Sequence, residues 1–210
     1  MGETLQRLEG RTIAVVRADT AEDAAWIAHC LAKAGVAAIE LTWTVPDAVA
    51  LLATLRRTLP GSPLLGMGTV LDEARCRRSI EAGADFLASP VADPVCLAMA
   101  READRLFLPG VATPTELWAA RQFGAEAFKV FPCGPLGGAA YLKALRGPFP
   151  DWPLIPFGGL RPEDVGPCLA AGAWAVGLGD CLMPRADWLA THDASRYRAW
   201  LARTLDGTTA

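Results

Sequence analysis

Eight short apolar runs, separated by amphipathic stretches of helical period, follow one another along this chain, and that alternation restricts its fold more than any other feature. The runs are Thr12–Arg17, Ala37–Thr42, Leu64–Gly68, Phe86–Ser89, Arg105–Leu108, Ala125–Phe131, Leu154–Phe157 and Trp174–Gly177. Helical patterns lie between them at Ala21–Ala34, Pro46–Thr58, Asp72–Ala82, Pro94–Arg101, Pro114–Phe123 and Pro162–Ala171, with a shorter one at Gly138–Leu145. Strands alternating with helices predict a parallel sheet with right-handed crossovers, and eight such units predict a closed (β/α)8 barrel. Thr4–Leu8 reads as an N-terminal capping helix, and Ala194–Leu205 as the closing element. No linker or composition break divides the chain, so residues 1–210 read as a single barrel domain.

Local punctuation agrees with this reading. Thr69 or Asp72 precedes the Asp72–Ala82 helix, and Thr113-Pro114 offers an N-cap followed by proline at the first helical position. Gly35, Gly83, Gly124 and Gly172 each follow a helical pattern and precede a strand, where helix-ending glycines are expected.

Bulk properties remove several classes of function. Just over half the residues are apolar, yet no run is long enough to span a bilayer. The first ten residues lack the basic-then-apolar layout of a signal peptide, which predicts a cytoplasmic protein. The net charge is −3 and the Arg and Lys residues are scattered, which argues against nucleic acid or an anionic membrane as partner. Six cysteines form no C-x-x-C pair, and His29 and His192 are too isolated for a zinc site. The cysteines read as small core residues; Cys133 alone follows a strand end that borders the expected site.

In a parallel barrel the active site forms at the C-terminal ends of the strands. Those ends carry Arg17, Glu40 with Thr42, Gly68-Thr69, Ser89-Pro90, Pro109-Gly110, Lys129, Gly158-Gly159 and Gly179-Asp180. Lys129 stands inside Ala-Phe-Lys-Val-Phe-Pro, a segment that reads as buried. Burial disfavours an ammonium, and a neutral, positioned amine attacks carbonyl carbon, so one reading is a Schiff-base lysine. The other is a strand lysine that reaches solvent or pairs with a carboxylate. Glu40 also lies in an apolar run; it is either a general acid/base for imine chemistry or the structural partner of Lys129. Gly158-Gly159 and Gly177-x-Gly179 close the last two strands, either to bind phosphate through backbone N–H groups or to make tight turns.

The motifs together resemble one family. Ile39-Glu40-Leu41-Thr42, Gly68-Thr69-Val70, Ser89-Pro90, Leu108-Pro109-Gly110-Val111 with Thr113-Pro114-Thr115-Glu116, Lys129-Val130-Phe131-Pro132 and Pro156-Phe157-Gly158-Gly159-Leu160 occur in order. From Val15-Val16-Arg17 to Gly177-Leu178-Gly179 the chain is similar to the bacterial 2-keto-3-deoxy-6-phosphogluconate (KDPG) / 4-hydroxy-2-oxoglutarate (KHG) aldolases, class I enzymes built on a TIM barrel. The resemblance implies that Lys129 forms an imine with a small-molecule 2-oxo acid and that Glu40 shuttles protons. It places Thr69 and Arg17 at the substrate carboxylate, with Pro90 and Phe131 lining the pocket and Gly158, Gly159, Gly179 and Asp180 at the far end. It implies no metal or other cofactor, and a homotrimer.

Three departures bear on the substrate. Trp43-Thr44-Val45 replaces the Leu-Arg-Thr often found after the second strand, which leaves Arg17 as the cation for the carboxylate. Phe157 replaces a threonine before the two glycines, and Asp180 replaces a phosphate-binding serine. A carboxylate repels phosphate, so an unphosphorylated 4-hydroxy-2-oxo acid competes with KDPG as the expected substrate, with Asp180 bonded to one of its hydroxyls. The rival readings are a sugar-phosphate isomerase or epimerase using Glu40 as base, and a non-catalytic binding relative.

Overall fold

A computed structural model describes residues 2–205 of the chain. Helix α1 (Glu3–Arg7) is followed by β1 (Thr12–Val16), α2 (Ala21–Lys33), β2 (Ala38–Thr42), α3 (Ala48–Thr58), β3 (Leu64–Gly68), α4 (Glu73–Glu81), β4 (Phe86–Ala88) and α5 (Pro94–Glu102). Then come β5 (Leu106–Leu108), β6 (Gly110–Val111), α6 (Pro114–Gln122), β7 (Phe128–Val130), α7 (Gly138–Arg146), β8 (Leu154–Pro156), α8 (Val165–Ala170), β9 (Val176–Leu178), α9 (Ala186–Ala190) and α10 (Ala194–Leu205). All strand pairs are parallel, in the orders β5-β4-β3-β2-β1-β9 and β6-β7-β8. This is the expected TIM-like barrel, with one correction. The ladder is not continuously closed: β5 pairs with β4, whereas β6, beyond the expected Arg105–Leu108 strand and separated from β5 by Pro109, which has no N–H to donate, pairs with β7, and β8 and β9 share no ladder. At the β8–β9 seam the Trp174 N–H still donates to the Leu154 carbonyl, 2.8 Å.

The period-2 alternation of each strand sorts the side chains into two cores. Inward residues Ile13, Ala38, Leu64, Phe86, Ala88, Leu108, Ala127, Ile155, Phe157 and Ala175 fill the barrel. Their neighbours Ala14, Val16, Ile39, Leu41, Leu65, Met67, Phe128 and Val130 face the ring of helices. Leu5 and Leu8 join the inner core, and the Trp174 indole N–H donates to the Leu5 carbonyl, 2.8 Å. Helix α1 is thus the expected cap, closing the N-terminal end of the barrel and leaving the other end for chemistry. At the C-terminus, Trp26 of α2 stacks on His192 and on Tyr197 of α10, at 5.0 and 5.3 Å.

The helix ends follow their sequence signals. Asp72, not Thr69, caps α4 by accepting from the Arg75 N–H, 2.8 Å. Gly35, Gly83, Gly124 and Gly172 lie at φ of 83°, 87°, 95° and 90° just beyond helix ends. Helix α3 begins at Ala48 rather than Pro46, because Asp47 turns into the left-handed region, φ 53°. The Pro162–Ala171 pattern opens as a 3-10 turn, Pro162–Asp164, before α8. The short α9 was not expected.

Helix α6 starts with a capping box: Thr113 Oγ1 accepts from the Glu116 N–H, and Glu116 Oε2 accepts from the Thr113 N–H. The Ala112 N–H bonds the same carboxylate and is the main cause of its lowered pKa. A depressed carboxyl stabilises the fold above its ordinary pKa and loses that contribution as pH falls through the folded value. Thr113→Ala is expected to cost about 1 kcal/mol at neutral pH. Urea denaturation measures this; an unchanged midpoint would show that the cap is idle.

Candidate active site

Lys129 lies on β7 between Phe128 and Val130, whose side chains face the helices, so the pleat turns the lysine into the barrel. Glu40 on β2 is inward for the same reason, flanked by outward Ile39 and Leu41. The two meet across the interior: Lys129 Nζ is 3.5 Å from Glu40 Oε1. They are 7% and 1% exposed, so the contact is shielded from water. Glu40 Oε2 is buried and has no hydrogen-bond partner among the described residues. A structural ion pair of this depth normally satisfies both oxygens, because an orphaned buried acceptor costs about 1–3 kcal/mol. This pocket leaves one oxygen of a buried carboxylate open beside a lysine.

Two aromatic rings and a glycine shape the rest. Lys129 Nζ stands 4.5 Å from the Phe157 ring centre and 5.6 Å from that of Phe131. The bulk that Phe157 brings at the end of β8 is accommodated by Gly177 on β9, where a Cβ would lie 2.0 Å from Phe157 Cδ1. Gly68 makes room for the carboxylate: a Cβ there would fall 1.9 Å from Glu40 Oε1. In the register Gly68 sits opposite Thr42, one inward position beyond Glu40, whose side chain leans over it. In the sequence Gly68 stands out only as a strand end, and Phe157 only as a departure. Their roles depend on side chains that reach over from neighbouring strands.

The remaining expected residues ring the mouth. Phe131 and Gly158 are brought together, a Cβ on Gly158 lying 2.7 Å from Phe131 Cε2. The Pro90 backbone packs onto Gly110, and Gly179 lies against Val15. Thr69 closes β3 at φ 62°, unusual for a β-branched residue, and its carbonyl accepts from Arg75 Nη1, 3.2 Å. Such strain collects at functional sites. Thr42 Oγ1 donates to the Val16 carbonyl, 3.2 Å, and lies 2.7 Å from Thr44 Oγ1. Thr69, Pro90, Gly159 and Gly179 make no hydrogen bond to Lys129 or Glu40.

One expectation changes. Arg17 does not stand free: Nη1 is 3.7 Å from Asp180 Oδ1, so the residues assigned to opposite ends of the substrate form one ion pair at the rim. Cys133 is a core residue, as read from the sequence. It packs between strands and helices with Sγ donating to the Gly138 carbonyl, 3.7 Å, and burial pushes its thiol up to about 12. Among the described residues no His, Cys, Asp or Glu cluster is arranged to hold a metal ion.

A lysine and a carboxylate in contact within a water-poor pocket suit carbonyl addition with internal proton transfer. Comparisons with known proteins bear on the same chemistry. The family model for KDPG and KHG aldolases matches residues 4–199. A 2-dehydro-3-deoxy-phosphogluconate aldolase of Pseudomonas aeruginosa is 34% identical, over 92% of this chain and 90% of its own length. The KHG/KDPG aldolase of Escherichia coli is 30% identical, over 94% and 92%. The KDPG aldolase of Legionella pneumophila, solved with pyruvate captured at low pH as a covalent carbinolamine intermediate, superposes with a TM-score of 0.85. It is 28% identical, and the match covers 96% of this chain and 98% of that one. Strand order, the buried lysine and glutamate, and the extent of these matches converge: the chain belongs to the KDPG and KHG aldolase family of lyases.

Proposed function

We propose that this chain is a class I aldolase cleaving a 4-hydroxy-2-oxo acid, such as KDPG or 4-hydroxy-2-oxoglutarate, to pyruvate and an aldehyde. The observation that carries the reading is the buried Lys129–Glu40 contact at 3.5 Å with Glu40 Oε2 unpartnered. The Lys129 amine adds to the C2 carbonyl to give a carbinolamine, and loss of water leaves an imine. A base takes the C4 hydroxyl proton, the C3–C4 bond breaks, and its electron pair flows into the imine. Aldehyde leaves and an enamine remains on Lys129. Protonation at C3 and attack of water on the imine release pyruvate and restore the amine. Glu40, 3.5 Å from the Lys129 amine, carries these protons, with its unpartnered Oε2 as the acceptor.

Thr69, Thr42 and Thr44 supply hydroxyls around the reacting carbons, and Pro90, Phe131 and Phe157 exclude water. A homotrimeric assembly, a cytoplasmic setting and a single barrel domain over residues 1–210 complete the proposal; the family resemblance supports the first of these.

Borohydride reduction with pyruvate, followed by intact mass and peptide mapping, tests the mechanism. One pyruvyl adduct on the Lys129 peptide is expected. Folded protein without an adduct would overturn the imine and favour an isomerase-like or non-catalytic barrel.

A further inference from the structure

The Arg17–Asp180 pair bears on which substrate tail this chain accepts, an inference that rests on the aldolase reading above. Arg17 follows β1 and Asp180 follows β9, strands that pair directly with Ala14 opposite Leu178, so the two side chains leave the same stretch of the barrel mouth. Their exposures, 55% and 88%, leave both side chains facing solvent at the strand ends. On the neighbouring loop after β8, Arg161 is likewise matched to an acid, with Nη1 3.8 Å from Glu163 Oε1. Arg17 and Arg161, on neighbouring loops at the strand ends, are thus each paired with a carboxylate that offsets their attraction for a phosphate. Asp180 adds a charge that a dianion must approach. A hydroxyl approaching the same atoms finds an acceptor in Asp180 and donors in Arg17.

We propose that the Arg17–Asp180 pair is a specificity determinant that selects a 4-hydroxy-2-oxo acid with an uncharged, hydroxyl-bearing tail over one ending in phosphate. Asp180 acts both by neutralising Arg17 and by facing the incoming tail.

The condensation direction tests this without knowledge of the natural stereochemistry. Pyruvate is combined with racemic glyceraldehyde or racemic glyceraldehyde 3-phosphate, and kcat/KM for each acceptor is measured for the wild type, Asp180→Asn and Asp180→Glu, at low and physiological ionic strength. The wild type is expected to prefer the uncharged acceptor. Asp180→Asn, which frees Arg17, should shift the ratio toward the phosphorylated acceptor by about tenfold. That gain should shrink with added salt, and Asp180→Glu should keep the wild-type ratio. A merely structural role for Asp180 would move both acceptors alike. If the wild type prefers the phosphorylated acceptor, or Asp180→Asn leaves the ratio unchanged, the proposal is overturned while the aldolase reading stands. If neither acceptor reacts and pyruvate leaves no borohydride adduct, the aldolase reading falls and takes the proposal with it.

Discussion

Replacing Lys129 by methionine is expected to abolish the pyruvate adduct and to lower kcat/KM for aldol cleavage by roughly 10⁴-fold or more, as removal of a covalent nucleophile does. Methionine fits the volume and keeps the apolar contacts with Phe131 and Phe157, so the barrel itself is not disrupted. It does remove the cation facing Glu40, which is 1% exposed, and breaking one side of a buried pair costs about 3 kcal/mol. The double variant Lys129→Met/Glu40→Gln separates the two effects. It should recover most of the lost stability in urea denaturation while remaining inactive, because stability depends on charge balance and catalysis on the amine. Exchange of the pyruvate methyl protons with deuterated water, followed by NMR, reports the enamine directly. Exchange persisting in Lys129→Met at the wild-type rate would rule out the lysine imine.

Glu40→Gln should leave the fold intact and reduce kcat by about 10²–10⁴-fold, the range for a positioned proton carrier. The amide preserves the shape that Gly68 accommodates and can still accept from Lys129, but it cannot take up a proton. Adduct formation should continue, slowly, with pyruvate methyl exchange slowed in parallel. This pattern distinguishes a proton shuttle from a charge that merely neutralises Lys129. In the latter case exchange would continue at nearly the wild-type rate, and only stability would fall. The unpartnered Oε2 argues for the shuttle, since the same burial leaves that oxygen for substrate or water rather than for a second protein donor.

The electrostatics of the mouth contrast with those of the interior. Inside, two opposite charges stand in a pocket lined by rings and small residues, where their interaction is little screened. At the rim, the Arg17–Asp180 pair is largely exposed, contributes little to stability, and acts on what approaches. One chain thus combines a buried pair suited to chemistry with an exposed pair suited to selection.

Much of this protein was legible in the residue order. Short apolar runs between helical patterns specified the strands, and the glycines at 35, 83, 124 and 172 specified where helices end, because these signals act over a few neighbouring residues. The apolar neighbours of Lys129 and Glu40 marked both as buried strand residues. What residue order left open was every relation between side chains on different strands. The break at Pro109 is a matter of ladder geometry, since the lost N–H matters only once neighbouring strands are in place. The clearance of Glu40 over Gly68, of Phe157 over Gly177, and the pairing of Arg17 with Asp180 join residues from different strands or loops. Sequence alone determined the type of element and the strand on which each reactive group stands, because both depend on local patterning. Tertiary structure alone decided which charges meet and which oxygen stays open, because Coulomb and contact energies depend on distances that folding sets.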